Sequence, residues 1–296
     1  MLFRSAAGSD RLLLALAPVV GVAACASQVL TPYAGAESPP ETRGRAVATV
    51  LGGVLAGVLL GRVLGGFLGA VVSWRVVYLV LAAASVVSAV ALGRALPASR
   101  NPVRESYGAV LGSMGRLVTT HPPVRRHALL GLLTFGSFMA FWSSYAFVLE
   151  SRFGIGSLGA GLVALVGLAG ALVAPRAGLL VDRGGFARGA LVGGALVILG
   201  WSMAAFGTRS VVWLAGGALI IDLGTGLAHG ANLSALQRRY PTMGGRVNAV
   251  YMVAYFVGGA AGAAIAPALY LSIGWIAVAI FAAGVAALGV LGTFAW

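Results

Sequence analysis

The sequence predicts an all-α polytopic membrane protein, a helical bundle of about nine spans arranged as two related halves. Hydrophobic residues make up 59% of the 296 positions and charged residues only 9%, against roughly 25% charged residues in a soluble domain. The mean hydropathy is +0.97. A helix pattern also recurs at a fixed distance along the chain. Together these observations favour a membrane bundle with an internal pseudo-repeat.

Each predicted span is an apolar segment of roughly the 20 residues that a helix needs to cross a hydrocarbon core about 30 Å thick. The nine segments are 11–35, 46–70, 76–96, 127–149, 157–180, 189–207, 211–235, 247–272 and 275–295. The first contains Pro18, Gln28 and Pro32 and has no small-residue cleavage site after a short apolar core. We therefore interpret it as a span and not as a signal peptide.

A shift of 201 residues superposes the sequence on itself. The matched pairs are Arg45 with Arg246, Gly57 with Gly258, Gly61 with Gly262, and Trp74 with Trp275. Such an offset is typical of membrane proteins whose two halves share one helix pattern. Under this shift the segments between 127 and 210 would have partners before residue 1, so we expect the first half to lack its first three helices. The predicted domains are a partial N-terminal bundle at 1–96 and a six-helix bundle at 127–296.

The interval 97–126 is the longest polar stretch and connects the two bundles. Prolines mark both of its ends, with Pro97 at the start and Pro122 and Pro123 at the finish. Apolar residues between Tyr107 and Val118 recur at helical spacing. This pattern fits an amphipathic helix on the cytoplasmic membrane face. A solvated linker with a helical turn or two fits equally well.

The net charge of +13 comes from twenty arginines and no lysine, placed at the ends of the apolar segments. Counted along the chain, fourteen arginines fall on one side of the membrane and five on the other, while Arg62 lies within a segment. The positive-inside rule makes the first side cytoplasmic. It predicts a plasma-membrane protein with its N-terminus outside and its C-terminus inside. Because the charge is distributed over helix ends and not gathered on one face, nucleic-acid binding is excluded.

The segment 46–70 carries glycines at four-residue intervals, from Gly53 to Gly69, which leave bare backbone along one helix face. The run from Gly57 to Leu68 includes Gly61, Gly65 and Gly66. This run resembles the antiporter motif of the major facilitator superfamily. Arg62 occupies the position of the family's proline, so the glycine face is kept while the bend that the proline makes is in question.

A second resemblance to the same superfamily lies at Gly178, Asp182 and Arg183. These residues match the start of the family's cytoplasmic loop motif, in which an aspartate and a basic residue act as a latch between helices that slide during transport. Asp182 alone would also serve as a simple helix cap. The resemblance implies a drug/proton antiporter of the twelve-helix type, of which this chain holds the equivalents of helices four to twelve.

Charged groups inside spans are the main site candidates, because each costs about 2.5–3.5 kcal/mol at mid-span on insertion scales. Asp222 lies 11 residues from the outer end of its segment, and Arg62 lies 11 residues from Ser73 at the outer end of its own helix, so we expect them at similar depth. Asp222 is a candidate for proton coupling or substrate binding. A structural ion pair with Arg62 is the alternative.

Polar and aromatic residues complete the predicted site. His229 shares a helix face with Asp222, and Asn232 follows it. Under the 201-residue shift His229 aligns with Gln28, as a cavity on a pseudo-two-fold axis requires. Trp142 belongs to an aromatic cluster that fits either an apolar substrate cavity or lipid-facing packing.

Enzyme functions are disfavoured by the scattered acidic residues, which form no metal cluster, and by the absence of a nucleotide-cradling loop with lysine. No cofactor or metal is expected. The sequence predicts a secondary transporter, monomeric at full length, that exports a small amphiphilic or cationic solute by alternating access coupled to protons. The alternative is a truncated membrane fragment or packing subunit without transport of its own.

Overall fold

The computed structural model describes residues 41–72, 74–96, 106–166, 185–240 and 243–294, and six residues between 30 and 39. Its helices are α1 Arg43–Val71, α2 Trp74–Ala95, α3 Tyr107–Thr120, α4 Pro122–Phe153, α5 Ser157–Val166, α6 Gly185–Ala205, α7 Val211–Arg239, α8 Gly244–Ser272 and α9 Trp275–Gly292. A 3-10 turn, Phe206–Thr208, follows α6. The predicted all-α membrane bundle is confirmed, since six helices of the described part are long and apolar enough to cross a membrane.

The predicted span 11–35 lies mostly outside the described residues, as does the end of 157–180. The chain divides into two compact units, Met1–Gly61 and Arg62–Trp296. The second unit contains the end of α1 and all of α2 to α9. The bundle boundaries at residues 96 and 127 stay a prediction.

The helix bounds repeat at the same distance as the sequence pattern. Helices α1 and α8 are both 29 residues long and begin at Arg43 and Gly244, 201 positions apart. Helices α2 and α9 begin at Trp74 and Trp275, again 201 positions apart. The repeat therefore extends from single residues to whole helices.

Local sequence signals set the helix ends. Ser106 and Ser210 cap α3 and α7, because each hydroxyl accepts a hydrogen bond from a backbone N–H of the first turn at 3.2 Å. Pro122 and Pro123 occupy the first turn of α4, where a missing N–H costs nothing. The same helix ends at Gly154, which has φ of 63°, a left-handed conformation that glycine adopts without strain.

Two helix pairs of the second unit, α4 with α8 and α6 with α7, are held by close backbone approach. In the first pair, Cβ atoms added at Gly258 and Gly262 would clash with the carbonyl groups of Leu132 and Gly136. In the second pair, a Cβ at Gly224 would lie 2.6 Å from the carbonyl oxygen of Gly193. Small residues at such crossings supply the packing that drives helix association in lipid.

A hydrogen-bonded aromatic core joins these pairs to α9. Trp201 is fully buried, and its Nε1–H donates to Ser137 Oγ at 3.0 Å. Ser137 donates in turn to the carbonyl oxygen of Ala282 at 2.8 Å. Trp275 donates to the carbonyl oxygen of Ala204 at 2.6 Å. These bonds satisfy polar groups that have no access to water in this core.

Candidate functional site

Helix α7 carries a polar face made by residues three and four positions apart. Asp222, Thr225 and Asn232 on this face are buried, and His229 is partly buried. Asp222 is the one acidic side chain that is buried among the described residues. Placing a carboxylate there costs free energy, which makes Asp222 the main candidate for a functional group on this face.

The facing helix α8 supplies two tyrosines, one turn apart, to this polar face. His229 Nδ1 and Tyr251 Oη are hydrogen-bonded at 3.0 Å, with the donor set by the histidine tautomer. The Tyr255 ring lies 4.7 Å from the His229 ring, centroid to centroid. Asp222 is within electrostatic range of Tyr255. His229, Tyr251 and Tyr255 form one cluster, which we call the His–Tyr cluster, and Asp222 lies two helical turns before His229 on α7.

Helix α4 extends this cluster with a row of aromatic rings. Phe135 stacks on Tyr255 at a centroid distance of 3.9 Å and on Phe138 at 5.5 Å. Phe138 is followed by Trp142 at 6.2 Å, and Trp142 contacts Tyr145 at 5.1 Å. The predicted Trp142 thus lies within an aromatic row that runs from Tyr145 to Tyr255.

Asn232 has a partner outside the His–Tyr cluster. Its Oδ1 is hydrogen-bonded to His127 Nδ1 on α4 at 2.8 Å, and its Nδ2 donates to the carbonyl oxygen of Ala228 at 2.9 Å. The His127 ring also meets the Phe186 ring edge-on at 4.5 Å. The structure therefore gives Asn232 a buried contact between α4 and α7.

The predicted partners of Asp222 in the first half are only partly described. Arg62 lies on α1, and the placement of its side chain is not among the described features. The residues Gln28, Gly178, Asp182 and Arg183 lie outside the described part of the chain. The pairing of Arg62 with Asp222 and the latch at Asp182 stay predictions.

The glycines of the antiporter motif differ in their surroundings. Within the described residues, no atom lies within 4 Å of a Cβ built at Gly57 or Gly61. At Gly65 the added Cβ would lie 3.8 Å from Val77 Cγ1, an ordinary contact. At Gly66 it would lie 2.8 Å from the carbonyl oxygen of Ser157, at the start of α5. Of these four glycines, only Gly66 makes a close backbone approach in the described part.

Sequence reasoning missed several members of the site, namely Tyr251, Tyr255, Thr225 and His127. The two tyrosines are four residues apart on α8, a spacing that places them on one helix face. That spacing, combined with the matching face of α7, is the signal that would have found them. No group of three or more His, Cys, Asp or Glu side chains that could hold a metal ion occurs in the described residues.

The sequence matches the Major Facilitator Superfamily over residues 1–263. The chain belongs to this superfamily. It is 34% identical over 292 residues to "Uncharacterized transporter YgaY" of Escherichia coli O157:H7, which covers 98% of this chain and 74% of that protein. The identity and coverage are the same for "Putative uncharacterized transporter YgaY" of Escherichia coli strain K12.

A third relative comes from another bacterium. The chain is 33% identical over 259 residues to "Probable transporter SCO4007" of Streptomyces coelicolor, covering 87% of this chain and 60% of that protein. Family membership and these relatives identify a multi-pass membrane transporter that is not an enzyme.

Proposed function

We propose that this member of the major facilitator superfamily is a proton-coupled exporter of a small amphiphilic or cationic solute. The observation that carries the proposal is the buried Asp222 beside the His–Tyr cluster. A carboxylate that alternates between charged and neutral forms changes its attraction for a bound cation. Proton and solute then compete for one group, which is the simplest form of coupling between two ligands.

The hydrogen-bonding groups around Asp222 suit a proton path. Tyr251 and His229 are already bonded to each other, and histidine and tyrosine each both donate and accept hydrogen bonds. Tyr255 lies beside His229 and within electrostatic range of Asp222. In this proposal, a proton that leaves Asp222 passes along α7 and α8 through these groups, which lie on the proposed cytoplasmic side of Asp222.

The aromatic row on α4 suits the proposed solute. Cations are attracted to the faces of tryptophan and tyrosine rings, by about 0.5–2 kcal/mol each. Within the row, Trp142, Phe138 and Phe135 lead to Tyr255. The apolar part of an amphiphilic cation would lie along the row, and its charge would lie near Asp222.

We assign the predicted loop residues Asp182 and Arg183 to a latch that controls the rocking of the two bundles.

Transport in acid-loaded proteoliposomes tests the coupling. The full chain is reconstituted, and accumulation of ethidium, an amphiphilic cation, is measured with and without an imposed pH gradient. We expect the gradient to drive accumulation by the wild type. Asp222→Asn should stay folded in the membrane, bind ethidium more weakly and lose at least tenfold of the gradient-driven accumulation, because the amide copies the neutral acid and cannot ionise.

Glu150→Gln is the matched control, since Glu150 is an exposed acidic residue at the end of α4. This variant should transport within about twofold of the wild type. Gradient-driven transport that survives in Asp222→Asn would refute the coupling role. If Asp222 is only a counter-ion to Arg62, Asp222→Asn leaves that buried cation unpaired, which costs about 3–5 kcal/mol of stability. The variant should then be lost from the membrane, and the double variant with Arg62→Leu should be restored to it.

The proposed exporter is a monomer in the plasma membrane with its arginine-rich side in the cytoplasm. In a Cys25→Ser background, we expect a cysteine at the exposed Gln237 to be shielded from an impermeant thiol reagent in intact cells. A cysteine at Ser151, near the other end of the bundle, should react. The reverse labelling pattern would overturn the proposed orientation.

A further inference from the structure

Four arginines converge on one cavity at the arginine-rich end of the bundle. The cavity has a volume of about 890 Å³ and lies where α4 begins and α7 and α9 end. Arg125 and Arg126 come from the first turn of α4, and Arg238 and Arg239 from the last turn of α7. No acidic side chain is among the residues that line it in the described part of the chain. Four like charges around one space favour an anionic occupant.

The four arginines differ in how far the protein itself engages them. Arg126 Nη2 donates to the carbonyl oxygen of Thr293 at 2.6 Å, and its guanidinium lies 5.6 Å from the Phe186 ring centroid. The other three are exposed. Within the described ranges, no hydrogen bond or ion pair engages Arg125, Arg238 or Arg239. Arg126 therefore shapes the wall, and three guanidinium groups remain available to a ligand.

Next to the arginines the wall of the cavity is apolar. Leu129 and Leu133 follow Arg125 by four and eight residues, so they lie one and two turns, or about 6 and 12 Å, further along α4. Leu288 on α9 also lines the cavity. Leu129 and Leu288 are 54% and 59% exposed, which shows that this wall opens to the outside of the bundle. In a membrane-spanning chain, that outside is occupied by acyl chains.

We propose that this cavity binds an anionic phospholipid. The phosphodiester would lie among Arg125, Arg238 and Arg239, because guanidinium groups match phosphate oxygens with paired hydrogen bonds. An acyl chain would lie along Leu129, Leu133 and Leu288. Basic pockets between membrane helices on the cytoplasmic side are suited to anionic headgroups. No member of the His–Tyr cluster lines the cavity, and His127, which is bonded to Asn232, is the one residue that the cavity shares with the candidate functional site.

Thermal unfolding of the full chain in an uncharged maltoside detergent tests the site. Short-chain phosphatidylglycerol, short-chain phosphatidylcholine and inorganic phosphate are added at equal phosphate concentration. A ligand that binds only the folded state stabilises it by RT ln(1 + [L]/Kd) and so raises the unfolding temperature. We expect phosphatidylglycerol to raise it and the other two to leave it unchanged. An equal rise with inorganic phosphate, or with phosphatidylcholine, would overturn the proposal.

Variants locate the binding. Arg125→Gln and Arg238→Gln should each weaken phosphatidylglycerol binding about fivefold, and together about 25-fold. Arg209→Gln is the control, because Arg209 is exposed and lies outside the cavity, beside Phe206. Equal binding by the double variant and the control would contradict the site.

Mass spectrometry of the wild type gives a measurement that depends on no variant. After delipidation and exposure to an equal mixture of the two lipids, we expect one phosphatidylglycerol to be retained in preference to phosphatidylcholine. Retention without preference would overturn the proposal even if the arginine variants fail to fold.

Discussion

Helices α1 and α8 are the two copies of one sequence pattern, yet their glycines have different neighbours. Gly258 and Gly262 of α8 lie against the backbone of α4. Their equivalents on α1, Gly57 and Gly61, have no atom of the described chain within 4 Å of an added Cβ. The same groove is therefore filled in one copy and has no described occupant in the other.

This difference teaches that glycine spacing specifies a groove and not what fills it. On α8 the groove is filled because α4 brings a small residue, Gly136, to the crossing point. A Cβ at Gly136 would lie 3.1 Å from the carbonyl oxygen of Gly258, so both helices must be bare there. Close approach depends on the residues of both helices at the crossing. The glycine pattern of one helix therefore does not predict which helix packs against it.

The largest expected difference between the copies concerns Trp275 and its repeat partner Trp74. Trp275 is buried and hydrogen-bonded to Ala204, so Trp275→Ala should cost about 3–5 kcal/mol of stability. Trp74→Ala should cost less, because none of the neighbouring span Val76–Ala95 is buried. Thermal unfolding in detergent measures both losses. Equal losses would show that the first copy is packed as tightly as the second.

A smaller contrast is expected between Gly262 and Gly61. Gly262→Ala places a methyl group against the carbonyl of Gly136, and overpacking of this kind costs about 1–3 kcal/mol. Gly61→Ala should change stability by less than about 0.5 kcal/mol. Comparison of the two unfolding temperatures sharpens the difference between the copies. Destabilisation by Gly61→Ala as large as that by Gly262→Ala would mean that a further helix covers the groove of α1.

The smallest expected effect separates two glycines within α1 itself. Gly66→Ala should cost about 1 kcal/mol, because its methyl group would lie 2.8 Å from the carbonyl oxygen of Ser157, and the start of α5 must shift. Gly69→Ala is the control, since its Cβ would lie 3.9 Å from Ser157 Oγ, an ordinary contact. Equal stability of the two variants would contradict the described approach of α5 to α1.

Helix positions could be predicted from the sequence because they depend on local composition. The apolar segment 247–272 lies within α8, Gly244–Ser272, and the 201-residue repeat places α1 correctly. The segment 127–149 was too short, because α4 begins at Pro122 and ends at Phe153. Proline is compatible with the first turn of a helix and also occurs where a helix has ended. The sequence alone does not show which of these two positions Pro122 and Pro123 occupy.

The membership of the site was less predictable because it depends on how helices cross. Asp222 and His229 were found from the cost of polar groups in a span. Tyr251 and Tyr255 resemble packing aromatics until α8 is seen beside α7. The arginines were counted by side of the membrane, and nothing in the sequence indicated that four of them border one cavity.

The hydrogen bonds of Ser137 have a mechanical consequence. They fasten α4 to α6 and α9 through Trp201 and Ala282, and breaking them would leave polar groups unsatisfied in an apolar core. Six residues away on α4, or about 9 Å, Gly131 contacts Tyr251, the tyrosine bonded to His229. Helix α4 is thus held to α6 and α9 by hydrogen bonds at Ser137, and it meets α8 through the contact of Gly131 with Tyr251. A tilt of α4 against α6 or α9 would have to break the Ser137 bonds, so we expect these three helices to move together.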